Sequence, residues 1–297
     1  AICNLCFCAA GDETMGTTSS KKKGPSVSSS LPSFSPFAPA KGQPRTTLRV
    51  AKEKIETATK TGVLSLTGHK LKEVPEDVWG IEKLTTLDLT QNQLAKIDGV
   101  ERLVNLKTLK LDHNKLPCTP DISGLPKLTN VTAADNSLGP GALANWTNSG
   151  QKLRSLVLAR NYLSSSVFND CSRLVTLQIL DLSSNQIDKV PPSVAFLVQI
   201  VDLNLDDNTI ECIPHEVGAL KKLKILSLRN NQVQGDMVAS TGYQSLPEEL
   251  FAGTCLERLN LEGNPILRRE LNEFKGVDMW LDRQSKTKQK DLALYMT

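Results

Sequence analysis

Leu177-Gln178-Ile179-Leu180-Asp181-Leu182-Ser183-Ser184-Asn185-Gln186-Ile187 reads as one coil of the pattern L-x-x-L-x-L-x-x-N-x-L, and the chain writes that pattern or a close variant nine times between Thr61 and Ile266. The alternation around Leu180 and Leu182 is that of a short strand, which turns both side chains inward. Leu177 and Ile187 close the same coil from either side. An amide side chain such as Asn185 both donates and accepts, so it suits a point where the chain leaves a strand and would otherwise bury unpaired backbone groups. The Asn column runs Asn92, Asn114, Asn136, Asn161, Asn185, Asn208, Asn231 and Asn264, with His69 in that slot of the weaker first copy. Steps are 22 to 25 residues, except for one of 33 between Asn231 and Asn264. No single coil buries enough apolar surface to stand alone, so neighbours must stack, and the product is a curved parallel sheet with a ladder of Asn beside it.

The segments between strands form the outer layer. Val74-Pro75-Glu76-Asp77-Val78, Val190-Pro191-Pro192-Ser193-Val194 and Ile213-Pro214-His215-Glu216-Val217 share an aliphatic-Pro-x-x-Val signature, in which Pro pre-sets a tight turn and Val packs beneath it. Ile97-Asp98-Gly99-Val100 and Pro120-Asp121-Ile122-Ser123-Gly124 lack that Pro, which predicts a 3₁₀ turn or short helix there. The long step holds residues 232–255 and is predicted to loop out as an insertion beside the last repeats. Ile55 and Ala58 predict a capping helix over Lys52–Lys60 ended by Gly62. At the other end, Arg268–Phe274 and a helix after Gly276 carrying Val277, Trp280 and Leu281 on one face predict the closing cap. Lys286, Lys288 and Lys290 beyond them read as a solvated end.

The pattern is identified as the leucine-rich repeat. The fold class is then α/β, a leucine-rich-repeat solenoid of about nine repeats with N- and C-terminal capping helices and a disordered N-terminal tail. Its predicted divisions are a basic Ser/Pro-rich tail (1–50), an N-terminal cap helix (51–62), the repeats (63–266, insertion 232–255), and a C-terminal cap with a basic tail (267–297).

Charge is uneven along the chain. The net charge is +3, yet residues 1–54 carry eight Lys/Arg against three acids, and residues 55–266 carry 20 Lys/Arg against 24 Asp/Glu. A basic tail precedes acidic repeats. The outward positions flanking each strand give the candidate partner-binding residues: Asp88, Asp112, Asp181, Asp202 and the dense pair Asp206 and Asp207, with Arg160, Arg229 and Arg258 as the interface anchors that Arg favours. Such a face suits a protein partner with a basic segment and repels a phosphate backbone, so no nucleic acid is expected.

An enzyme is the rival class. His69, His113 and His215 sit in different repeats and do not converge. Asp206-Asp207 lacks the further oxygen ligands a calcium site requires. No glycine-rich phosphate loop, Cys/His metal spacing or nucleophile motif appears, so the expectation is a scaffold with no catalytic residue, metal or cofactor. Aromatic residues are 4% of the chain, too few to line an ordinary substrate pocket.

Compartment follows from cysteine usage. Cys118, Cys171, Cys212 and Cys255 are scattered singly and predict reduced, mostly buried thiols in a cytoplasmic protein. On that reading the sequons at Asn130 and Asn145 are accidental. No stretch approaches the roughly 20 apolar residues of a transmembrane helix.

The segment Glu56–Val63, the Pro-type repeats, and Leu261–Pro265 followed by Leu271–Asp278 resemble the leucine-rich repeat-containing protein 57 group, over roughly residues 51–290. The resemblance implies a small intracellular protein built almost wholly of repeats, with no assigned catalytic residues and an N-myristoylated Met-Gly start. Met15-Gly16-Thr17-Thr18-Ser19-Ser20 fits the myristoylation pattern, and Lys21, Lys22 and Lys23 supply a second membrane signal. Gly16 serves only if Met15 is the start. Otherwise Cys3, Cys6 and Cys8 offer an acylation cluster. Two other readings of the tail stand beside this: an inert linker, or a transit peptide for organelle import, since Thr14 is followed by no acid before Glu53. The functional expectation is a protein-interaction scaffold, membrane-associated through its tail. The alternatives are a regulatory or adaptor subunit of a phosphatase or ubiquitin ligase, or a structural subunit of a large assembly.

Overall fold

The computed structural model describes residues 45–146, 152–235 and 245–295, with side chains from residue 51 to residue 286 apart from Arg268. Gly16, Cys3, Cys6, Cys8, the Lys21–Lys23 cluster, the side chains of Lys288 and Lys290 and the middle of the insertion lie outside the described residues.

Each coil contributes one three-residue strand. These are β1 (Val63–Ser65), β2 (Thr86–Asp88), β3 (Thr108–Lys110), β4 (Asn130–Thr132), β5 (Ser155–Val157), β6 (Ile179–Asp181), β7 (Asp202–Asn204), β8 (Ile225–Ser227) and β9 (Arg258–Asn260). All nine are parallel and lie in chain order in one sheet. Register is strict, because the central residue of each strand must enter the core: Leu156 pairs Leu180, which pairs Leu203, which pairs Leu226. Those central residues are buried from Leu64 to Leu226.

The Asn column does what the amide chemistry predicts. Asn161 Nδ2 donates to Ala133 O of the preceding coil at 3.0 Å and to Leu158 O of its own at 3.0 Å, while its Oδ1 accepts the Leu138 N–H at 3.1 Å. The same three-way stitch recurs from Asn92 to Asn264. His69 breaks the series, its Nδ1 sharing a 2.8 Å hydrogen bond with Thr67 O two residues away. The residue before each Asn is left-handed, with φ between 52° and 58° at Gln91, His113, Asp135, Arg160, Ser184 and Asp207. Non-glycine residues adopt this conformation reluctantly, so the ladder and the core over-determine it.

Pro75, Pro191 and Pro214 each open a 3₁₀ helix (Glu76–Gly80, Pro192–Phe196, His215–Ala219), and Val78, Val194 and Val217 pack beneath. The segments without the aliphatic-Pro-x-x-Val signature divide. Gly99 leads into a 3₁₀ turn at Val100–Arg102, whereas residues 120–125 form only turns. Gly99 has φ +101°, and a β-carbon there would lie 2.8 Å from the Trp79 ring, so both the conformation and the space demand glycine.

The ends are closed by helices. Helix α1 (Arg45–Thr61) starts seven residues ahead of the predicted Lys52 and buries Ala51, Ile55 and Ala58 against the first coil. Gly62 ends it with φ +73°, its N–H donating to Ala58 O. A short helix, α2 (Val167–Cys171), replaces the 3₁₀ turn of its repeat. The predicted looped-out insertion is corrected in part. Residues 248–252 form helix α3 (Glu248–Ala252), with Leu250 and Phe251 fully buried, and this is the outer-layer element of an ordinary repeat. Leu246 and Ser245 are also buried, and the Ser245 carbonyl accepts the Ile213 N–H, so apolar burial holds this part on the stack. Helices α4 (Arg268–Leu271) and α5 (Val277–Tyr295) follow. Trp280 sits against Phe251 with ring centroids 6.2 Å apart, and Val277 is buried. Leu281 differs from expectation. It is 42% exposed, because the packed face of α5 runs through Val277 and Trp280 at i, i+3, one position round from Leu281.

Candidate functional site

The face that carries the candidate residues is built by the pleat. Since Leu180 and Leu182 point inward, Ile179, Asp181 and Ser183 point outward, and the strict register stacks equivalent positions into columns about 4.8 Å apart. The nine candidates spread over four columns. Asp202 and Arg258 stand at the position before the inward strand residue, Asp88 and Asp181 at the position after it, and Asp112, Asp206 and Arg229 at the first outward position beyond the strand, two residues past its end. Arg160 and Asp207 stand further on, at the left-handed position before the Asn. They belong to the rim of the sheet and not to its face.

Several of the acids have structural work. Asp88 Oδ1 accepts the Thr90 N–H at 3.0 Å and Asp181 Oδ1 the Ser183 N–H at 2.9 Å. Asp112 and Asp206 reach sideways, accepting the Ala134 N–H at 2.8 Å and the Arg229 N–H at 2.7 Å from the next coil. These backbone donors lie just past the strands, where the β-ladder stops. A carboxylate is one of the few side chains that reaches them. Asp207 Oδ1 accepts from Asn230 Nδ2 at 2.7 Å.

Electrostatics single out Asp202. Burial, and then the neighbouring Asp181, push its carboxyl above the usual carboxylate range, and Arg258 two strands away only partly offsets them. The Arg residues are not idle: Arg229 pairs with Glu262 at 3.1 Å and Arg160 with Asp135 at 3.3 Å. All three Arg side chains are exposed.

The reading of this face as mainly acidic gave its apolar residues no role. Ile179 is 45% exposed in the column of Asp202, with half-buried Ile225 on the far side of Asp202 and half-buried Val157 one strand before Asp181. Aliphatic residues at outward strand positions were the available signal, since solvent alone favours Thr or Ser there. Towards the N-terminus the same columns hold mainly Thr86, Thr108, Asn130 and Thr132, with Val63, Asp88 and Lys110 among them. On β6–β8 acidic and aliphatic residues stand side by side, whereas the exposed Val63 belongs to β1 and Asp88 to β2.

Among the described residues no group of His, Cys, Asp and Glu converges as a metal site. His113 lies near Asp135, while His215 lies beside Glu216 in an outer-layer turn. A cavity of about 440 Å³ lies between α1 and β1, bordered by Glu53, Thr57 and Val63. The thiols depart from expectation: Cys171 is buried, and that burial pushes its pKa up to about 12, but Cys118 and Cys255 are exposed and Cys212 is half-buried. The exposed pair fall in segments between the strands, in the outer part of their coils. Among the described residues no helix is long and apolar enough to cross a membrane.

Nine parallel strands, stitched by an Asn in every coil after the first, define a repeat solenoid that offers a sheet face to other molecules. The sequence pattern of the family described as "Leucine rich repeat" matches residues 175–233. Human fibromodulin is 35% identical over 132 residues, covering 43% of this chain and 28% of that protein, so the chain spans less than a third of it. The rabbit fibromodulin sequence is 33% identical over 145 residues, covering 48% of this chain and 81% of that sequence. A solved leucine-rich repeat protein of Leptospira interrogans superposes with a TM-score of 0.59 at 32% identity, covering 69% of this chain and 49% of that one. The chain belongs to the leucine-rich repeat family.

Proposed function

We propose that this protein is a non-catalytic interaction module that binds a protein partner through the outward face of β6–β9, the partner presenting a basic segment with an aliphatic residue beside it. The observation that carries this is the clustering of Asp181, Asp202 and Asp206 round the exposed Ile179. Opposite charge compensates Asp202 and Asp181, and an aliphatic side chain covers Ile179. The two remaining parts of the reading concern the tail and its compartment. The protein is cytoplasmic and of the leucine-rich repeat-containing protein 57 kind, and its N-terminal region attaches it to a membrane by acylation at Gly16 or at Cys3, Cys6 and Cys8.

Affinity purification with mass spectrometry tests the face, comparing the intact protein with the triple variant Asp181→Asn, Asp202→Asn, Asp206→Asn. Asn is chosen because its Oδ1 keeps accepting the Ser183 and Arg229 N–H groups, so charge changes and fold does not. A partner lost from the variant alone supports the face, and an unchanged partner set rejects it. Incorporation of alkyne-tagged myristate or palmitate, compared between the intact chain and Gly16→Ala or Cys-to-Ser variants, tests the tail.

A further inference from the structure

The acidic balance of the repeats conceals a sorting of charge that only stacking reveals. The residue just before each strand forms a hydrogen-bonded ladder of its own: Lys107 N donates to Thr85 O, Thr129 N to Lys107 O, Arg154 N to Thr129 O, and so on through Lys224 to Glu257. The neighbouring residues two and three positions before each strand stack alongside, as shown by Lys127 Nζ donating to Asn105 and Lys222 Nζ to Gln199. Taken from the end of each outer-layer segment to the start of the strand, this leading flank holds ten of the 20 Lys/Arg of residues 55–266 and, of the 24 acids, only Glu82 and Glu257. It spans seven steps of about 4.8 Å, roughly 34 Å. Exposed apolar side chains interleave with the charge: Val104 is 49% exposed, Val175 51%, Val198 44% and Phe196 60%, the last of these the most exposed large hydrophobic described.

We propose that this leading flank is a docking surface for an anionic lipid bilayer, with the Lys/Arg rows against the headgroups and Phe196, Val175 and Val198 at the acyl boundary. It goes beyond the reading of the sheet face, which stays open to a protein partner when the flank is down. Lipid fits better than nucleic acid. Valine has no ring to stack on a base, whereas aliphatic and Phe side chains set among Lys and Arg are the composition of an interfacial membrane surface. Each basic residue near such a surface adds a similar increment, so the effect is cumulative and salt-sensitive.

The test uses the full chain and vesicles of phosphatidylcholine with or without about 30% phosphatidylserine, an anionic lipid whose negative surface potential attracts Lys and Arg. Phe196→Trp places a reporter on the flank, read by quenching with brominated lipid. The triple variant Lys107→Glu, Lys152→Glu, Arg154→Glu changes exposed side chains and leaves the backbone ladder untouched. Expected are binding to the anionic vesicles only, its loss by about a hundredfold in the triple variant, and quenching of the new Trp that persists when Lys21, Lys22 and Lys23 are changed to Ala. Binding that survives the flank reversal, an unquenched Trp, or stronger retention on poly(U) or polyglutamate than on the anionic vesicles overturns the proposal.

Discussion

Along β6 the inward Leu180 and the outward Ile179 and Asp181 are immediate neighbours, yet the inward column scarcely varies through nine coils and the outward columns vary in almost every one. The inward column reads Leu, Leu, Leu, Val, Leu, Leu, Leu, Leu, Leu because each side chain fills the same slot between two others. The outward column beside it runs through Val, Thr, Asn, Ser, Ile, Asp and Arg. The difference separates what holds the molecule together from what it presents. A residue constrained by its neighbours above and below repeats, and one that faces outward is free to be chosen by a partner.

The most direct way to break that separation is to damage the interior. Asn161→Ala orphans the buried Leu138 N–H and takes one of two donors from Ala133 O and Leu158 O, which keep Asn136 and Asn185, and a loss of about 3 kcal/mol is expected. Urea unfolding measures it, and a loss under about 1 kcal/mol would show that water substitutes for the amide. Next in size is Gly99→Ala, where strain at φ +101° adds to collision with the Trp79 ring. About 2 kcal/mol is expected by the same measurement, and no loss would mean that Trp79 swings aside.

Outward substitutions sharpen the comparison. Asp112→Ala removes the acceptor of the Ala134 N–H and of the Thr132 hydroxyl, and about 1 kcal/mol is expected, whereas Asp112→Asn keeps an acceptor and should be close to neutral. Equal effects of Ala and Asn would show that charge, and not the hydrogen bond, is what position 112 supplies. The smallest effect is Asp202→Asn. Because burial and Asp181 hold the Asp202 carboxyl above its unfolded value, ionising it costs stability in the folded protein, and that cost grows as pH rises from the unfolded carboxylate range through the raised value. The variant should therefore be slightly more stable than the intact protein at pH 7, with the gap closing as pH falls toward 4. A thermal melt at both pH values checks the sign, and a variant less stable at pH 7 would place the Asp202 carboxylate in a favourable ion pair with Arg258.

The repeats were legible because their determinants are local. Leu177–Ile187 contains everything needed to predict one strand, one turn and the slot for Asn185. The helix from Arg45 was predicted too short, since its core-facing Ala51 and Ile55 were visible only as parts of a brief apolar period. Residues 245–252 were misread as a loop because the long step hides the spacing, although Leu246, Leu250 and Phe251 pack as in any other coil. At the candidate site the Asp positions were found from the pattern, but their division between backbone-capping acids such as Asp112 and the electrostatically unrelieved Asp202 was not. That distinction depends on which N–H lies within reach in the next coil.

The sequence by itself determined the solenoid, its register and the position of every inward Leu and Asn, because these obey a period that one coil displays completely. Only the tertiary structure decided which outward residues act together. Ile179 and Asp202 are 23 residues apart and Lys107 and Arg154 are 47, yet Ile179 and Asp202 are in register and Lys107 and Arg154 are joined through Thr129 by ladders made between coils and not within any one of them.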